Sequence, residues 1–393
     1  MKWQQLLILI VILTGMAICS DQAVLASAGP EDILIEQQAE RLQTDALDAY
    51  WEQLMKEYES VLPDKQPPSL MDILTGREEG FSVREVMHAL LRYFFHELIY
   101  NGKLLITIVL ITVFSILLET IQSAFERKSV SKVAYAVSYL VLMIIAMNSF
   151  SVAIGYAKSA ISSMIHFMVA MVPLLLTLLA SMGNLVTVSV LHPLIVFMIH
   201  TIGTLIYTTV FPLLFISAVI HLVSSMTDRY KLTQLANLFR HIGIGLLGVM
   251  LTAFLGVISV QGATSSTTDG VTIRTAKYIT GNFVPVVGRM FSDASDTVIG
   301  ASLLIKNSIG LVGVLILFML CAFPALKILA LALIYNVSAA VLQPLGSTPI
   351  SQCLSTIGKS LIYVFAALAA VGFMFFLAVT ILIAAGNVSV MMR

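Results

Sequence analysis

Long apolar stretches separated by short polar breaks make up most of this chain, and the stretches are too long for strands. Apolar runs lie near 104–123, 133–155, 161–181, 185–204, 206–226, 242–260, 309–326, 328–345 and 360–385. Each approaches the roughly 20 residues that a helix needs to cross hydrocarbon. The pairs at 185–226 and 309–345 are continuous apolar runs, each long enough for about two crossings at about 1.5 Å rise per residue. The expected architecture is all-α: a polytopic transmembrane helix bundle of about eight spans with an exported N-terminal amphipathic-helical segment.

Before residue 104 the pattern changes. In residues 33–62 apolar groups at Ile35, Ala39, Leu42, Ala46, Tyr50, Leu54, Tyr58 and Val61 recur at helical spacing, with acids between them. The sequence PDKQPP then breaks the helix. Ser82 and Glu85 form a capping box ahead of a second helix whose apolar face carries Val83, Val86, Met87, Leu90, Leu91, Phe94 and Leu98. That face suits a membrane interface or a partner helix. At the very start, Lys2, an apolar run from Leu6 to Ile18 and then Ala26-Ser27-Ala28 read as a cleavable signal peptide, the alternative being a retained anchor.

These divisions give a signal peptide at 1–28, an exported acidic helical segment at 29–103, and a first transmembrane helix group at 104–260. A polar extracytoplasmic segment with an amphipathic helix follows at 261–308, and a second transmembrane helix group at 309–393. Within 261–308, QGATSSTTDGVTIRTAKYIT reads as polar and turn-rich.

Composition agrees with membrane residence: 58% of the 393 residues are hydrophobic and 11% charged, with mean hydropathy +0.95. Soluble domains carry about 25% charged residues. The net charge of zero hides a division: residues 29–103 hold 15 acids and 7 Lys/Arg, whereas 104–393 hold 6 and 14. Neither part is basic enough for nucleic acid. Arg127, Lys128, Lys132, Arg229, Lys231, Arg240, Lys327 and Arg393 all fall on one side when nine spans are drawn from an exported N-terminus. By the positive-inside rule that side is the cytoplasm, C-terminus included.

Candidate chemistry is sparse. Cys19, Cys321 and Cys353 have no metal or disulfide spacing. His96–Glu97 begins an HExxH pattern, but Tyr100 occupies the second ligand position. His192 and His200 stand about 80° apart on a helix, so each either hydrogen-bonds locally or serves as a ligand or relay. Lys327 reads as a cytoplasmic hairpin tip between apolar runs, the alternative being an ion pathway. No carboxylate falls within an expected span, which argues against proton-coupled pumping. No GxxxxGK[ST] or GxSxG motif occurs, and no metal or cofactor is expected. Pro173, Pro212 and Pro324 interrupt apolar runs, which suits a translocation path or ordinary bundle packing. Arg289, Asp293 and Asp296 pattern the otherwise apolar surroundings of 281–302; they form a local helix-starting pair or a partner-binding or vestibule face.

The stretch TTDGVTIRTAKYITGNFVPVVGRMFSDASDTVIGASLLIKNS resembles the stage III sporulation protein AE family of endospore-forming bacteria. So do GLVGVLILFMLCAFPALKILALALIYNVSAAVLQPLG and AALAAVGFMFFLAVTILIAAGN. The resemblance implies a non-catalytic multipass subunit of a secretion-like channel complex in the mother-cell membrane around the forespore. It would be needed for forespore maintenance and late forespore transcription. The implied partners are other stage III sporulation membrane proteins, including a separate ATPase and ring-forming subunits, together with membrane lipid, no nucleic acid, and room for a homo-oligomer. The alternative reading is a stand-alone secondary transporter for a small solute.

Overall fold

A computed structural model of the chain describes residues 45–57, 83–124, 128–225, 232–283, 287–345 and 349–391. Among them the regular elements are all helical: α1 (Asp45–Glu57), α2 (Val83–Tyr100), α3 (Gly102–Ala124), α4 (Lys128–Ser181), α5 (Leu185–Leu205), a π-helical turn (Ile206–Val210), α6 (Phe211–Ser225), α7 (Thr233–Phe283), α8 (Val287–Leu342), a 3-10 turn (Gln343–Leu345) and α9 (Pro349–Met391). The signal-peptide region 1–28 and Ser82 of the capping box lie outside the described residues.

Five helical segments are long and apolar enough to cross a membrane: Ala136–Ser181, Leu185–Ser225, Thr233–Gln261, Ile299–Leu342 and Pro349–Val388. A sixth arises if α2 and α3, bent by 41° at Asn101, count as one span. The expected count of about eight is therefore not reached among the described residues, because the expected breaks are helical. α4 runs through 156–160, α8 runs through Lys327, and α5 joins α6 through the π turn. Nothing in those segments supplies a strong stop. A lone lysine or an Ala/Ser pair keeps its backbone bonds, and in an apolar setting every backbone N–H and C=O gains by staying helical. Pro212 lacks an N–H and crowds the carbonyl four residues before it; the widened turn just upstream absorbs that misfit.

The polar stretch 261–283 is also helical and continues α7, where a turn-rich segment is expected. Its threonines bond their hydroxyls back onto the helix, as Thr268 does to the Thr264 carbonyl (3.1 Å) and Thr272 to the Thr268 carbonyl (2.8 Å).

The bundle has two ends, and cross-helix bonds assign several helix termini to them. At one end, Ser181 at the close of α4 donates to Ser302 of α8 (3.3 Å). There too Asp269 of α7 meets the start of α5, and Lys306 of α8 meets Asn387 near the close of α9. At the other end the Tyr139 hydroxyl, near the start of α4, bonds Ser225 at the close of α6 (2.5 Å). The start of α4 and the close of α6 thus share one end. The close of α9 lies at the opposite end, with Asp269 and Ser302. The sequence reading set the two at different ends of the bundle.

The N-terminal part is not a detached head. α1 buries Leu47, Trp51, Leu54 and Met55, and Tyr50 sets its ring edge-on to Phe167 of α4 at 5.4 Å. Of the expected stripe, Tyr50 and Leu54 point inward, but the buried face is centred on Trp51. Burial raises the Tyr50 hydroxyl above its ordinary pKa.

Candidate functional site

The helices of 40–46 apolar residues extend about 60–70 Å at about 1.5 Å per residue, twice the hydrocarbon thickness of about 30 Å. Polar groups concentrate at two levels along them.

The first level lies about halfway. Glu97 of α2 and Lys327 of α8 approach to 4.0 Å, with side chains 13% and 28% exposed. The ammonium also faces the rings of Tyr93 (5.9 Å) and Tyr156 (5.3 Å). Asn101, one turn after Glu97, donates to the Glu97 carboxylate (3.2 Å). Glu97, Asn101, Tyr156 and Lys327, with Asn148 and Ser149 of α4, line a cavity of about 170 Å³. Behind it, the buried Tyr335 of α8 donates to Ser149 Oγ (2.8 Å). Glu97 cannot be exported while Lys327 tips a cytoplasmic hairpin, because the two side chains lie at one depth, and Lys327 tips no hairpin, since α8 runs unbroken through it. The false HExxH start is the acid of a structural ion pair.

The second level is the end that carries the C-terminus. Gly183 (φ 83) makes the tight α4–α5 turn, with a backbone conformation that other L-residues rarely adopt. Asn184 at the N-cap of α5 makes no side-chain capping bond. Asp269, 2% exposed, caps the helix from α7 instead, accepting from Val186 N (3.0 Å) and Thr187 N (2.8 Å). A carboxylate there satisfies two orphan amides and meets the positive end of the helix dipole. Two turns inside this end, Lys306 is fully buried and donates to the Ile383 carbonyl (2.8 Å) and Asn387 Oδ1 (2.9 Å). Gly386 leaves room for it: any side chain at 386 would collide with the lysine ammonium and Leu179.

Arg289, Asp293 and Asp296 lie on the first turns of α8, so the expected helix is present, but their side chains lie outside the described ones. The region they occupy adjoins the Asp269–Lys306 level and not the Glu97–Lys327 level. Sequence reasoning passes over Lys306 and Asp269. The signal for Lys306 was a lone cation between ASLLI and NSIGLVG; Asp269 left no signal, since its partner is a helix start more than 80 residues away. His192 and His200 are both exposed and are not brought together as a ligand pair. Among the described residues no cluster of three His, Cys, Asp or Glu suits a metal ion.

No solved structure matches the chain. A family model of stage III sporulation protein AE matches residues 66–386. A protein of Bacillus subtilis (strain 168) named Stage III sporulation protein AE is 54% identical over 360 residues, covering 92% of this chain and 90% of that protein. The match runs through both polar levels and all five span-length helices, and on this extent the chain belongs to the stage III sporulation protein AE family.

Proposed function

We propose that the chain is a channel or export-platform subunit of a sporulation complex in the mother-cell membrane around the forespore. It works beside a separate ATPase and ring-forming subunits. The observation that carries this reading is family membership over most of the chain, joined to a bundle of span-length apolar helices. The absence of a nucleotide-binding loop from the sequence fits a division of labour with a separate motor.

In this reading residues 1–28 act as an export signal, and α2–α3 together make the first of six crossings. Arg127, Lys128, Lys132, Arg229 and Lys231 supply the cytosolic end, as the positive-inside rule requires. The 261–302 region and the C-terminus then face the space between the two membranes, where ring subunits can reach Arg289, Asp293 and Asp296. Deletion should leave engulfment complete and arrest forespore development; normal yields of heat-resistant spores would refute the reading. Asp293→Ala with Asp296→Ala should impair assembly with partner subunits if that face docks them.

A further inference from the structure

The Glu97–Lys327 cavity is one end of a longer feature. Leu104 of α3 and Val152 of α4 form part of its wall, and farther along the same two helices Leu110, Ile111, Phe114, Val137, Ser138 and Val141 line a shallow groove. α3 and α4 run antiparallel, so rising numbers on one match falling numbers on the other, and the groove continues the cavity along a single seam. It is apolar but for Ser138, and Ile106, Leu110, Phe114, Leu117, Val141 and Ile144 are exposed on the two helices. From Leu104 to Leu117 is about 20 Å, more than the roughly 15 Å of hydrocarbon in one leaflet.

The depth of the cavity suits a lipid headgroup. Helices of about 60–70 Å would have to tilt by about 60° to hide in about 30 Å of hydrocarbon, beyond the range of about 0–40° that spans adopt. At least one membrane surface therefore falls part-way along them. Tyr93 and Tyr156 meet Lys327 at the cavity, and Lys158, on the far side of α4 at nearly the same depth, lies over Tyr207 (5.8 Å). Tyrosine and lysine collect at lipid–water boundaries, where the apolar body stays in hydrocarbon and the polar tip reaches water.

The two charges of the cavity leave each other short of partners. At 4.0 Å they stand farther apart than a charge-assisted hydrogen bond of about 2.7–2.9 Å. Among the described residues nothing accepts a hydrogen bond from the Lys327 ammonium, and Asn101 alone donates to the Glu97 carboxylate (3.2 Å). The Asn148 side chain is exposed in the lining with its donors free. Lys103, exposed one residue before Leu104, adds a second cation nearby, and Glu97 is the anion of the lining.

We infer that this seam holds a membrane phospholipid with a zwitterionic headgroup of the ethanolamine type. Its phosphate accepts from Lys327 and Asn148, with Lys103 adding to the attraction; its ammonium donates to Glu97; and one acyl chain lies along the α3–α4 groove. A headgroup with phosphate alone leaves Glu97 short of donors and sets a like charge beside it. A choline headgroup keeps both charges but has no N–H to donate. A protein helix would have to bring one charge of each sign at one depth and an apolar face beyond it, an order that the lipid carries in its own covalent structure. The inference stands apart from the channel reading.

The test is native mass spectrometry of the full chain, released from detergent micelles that hold equal amounts of phosphatidylethanolamine, phosphatidylcholine and phosphatidylglycerol. The wild-type chain should carry the ethanolamine lipid about tenfold more than either competitor, the worth of one charge-assisted hydrogen bond. Glu97→Gln should bring the ethanolamine and choline lipids within about twofold of each other while lipid stays bound. Ser138→Trp fills the groove and leaves the polar cavity intact, and it should lower the binding of all three lipids, with its SDS unfolding midpoint as the check on folding. Equal binding of the three by the wild-type chain, or a preference for phosphatidylglycerol, overturns the headgroup assignment. An ethanolamine preference that survives Glu97→Gln overturns the role of Glu97, and unchanged binding by folded Ser138→Trp overturns the groove. A wild-type chain that carries no lipid, or that exchanges it for a second copy or a partner protein, overturns the lipid as occupant.

Discussion

The Glu97–Lys327 pair allows the packing of α2 on α8 to be weighed by a double-mutant cycle. At 4.0 Å the gross attraction is about 4 kcal/mol at an effective dielectric of about 20, and the cost of removing both charges from water offsets most of it. Single substitutions do not share that cancellation. Lys327→Met leaves the Glu97 carboxylate with Asn101 alone and should cost about 2–3 kcal/mol. Glu97→Gln leaves Lys327 over two tyrosine rings and should cost less, about 1–2 kcal/mol. The double variant removes both charges and should cost about 1 kcal/mol, which makes the coupling about 2–4 kcal/mol. The assay is unfolding by SDS titration in mixed micelles, read by helicity, with trypsin cleavage at the exposed Arg84 and Arg92 as a local report on α2. If the double variant costs the sum of the singles within about 0.5 kcal/mol, the pair is not coupled, and the common depth assigned to α2 and Lys327 is wrong.

Asp269→Ala strands two buried amides of α5 and should destabilise the chain by about 2–4 kcal/mol, while Asp269→Asn, which keeps one acceptor, should cost less than half of that; SDS unfolding midpoints check the order. Gly386→Val drives a side chain into Lys306 and Leu179 and should cost about 3 kcal/mol or more, whereas Gly248→Ala, which meets open space, should be neutral or slightly stabilising by the same assay. Ser181→Cys with Ser302→Cys, whose hydroxyls lie 3.3 Å apart, should form a disulfide on mild oxidation, seen as a mobility shift under non-reducing conditions. A reporter at the C-terminus should fall on the opposite side of the membrane from one placed between α6 and α7, and a finding of both on one side would break the two-ended assignment.

The helical class and the membrane setting follow from local pattern alone, because burying backbone polar groups in lipid leaves a long apolar run few choices but a helix. The start of α2 and the helix that carries Arg289, Asp293 and Asp296 were likewise legible. Hydropathy counts crossings by length, however, and length alone cannot distinguish two short helices from one long one without a strong breaker between them. That is why Lys327 read as a tip and proved to lie mid-helix. The partners of Glu97, Asp269 and Lys306 are separated from them in sequence by 77 residues or more. No periodicity encodes such pairings; they exist only once the helices pack. Whether a polar side chain faces the core or the outside is decided at the same step, as with Lys306, fully buried where Gly386 leaves room for its ammonium to reach Asn387.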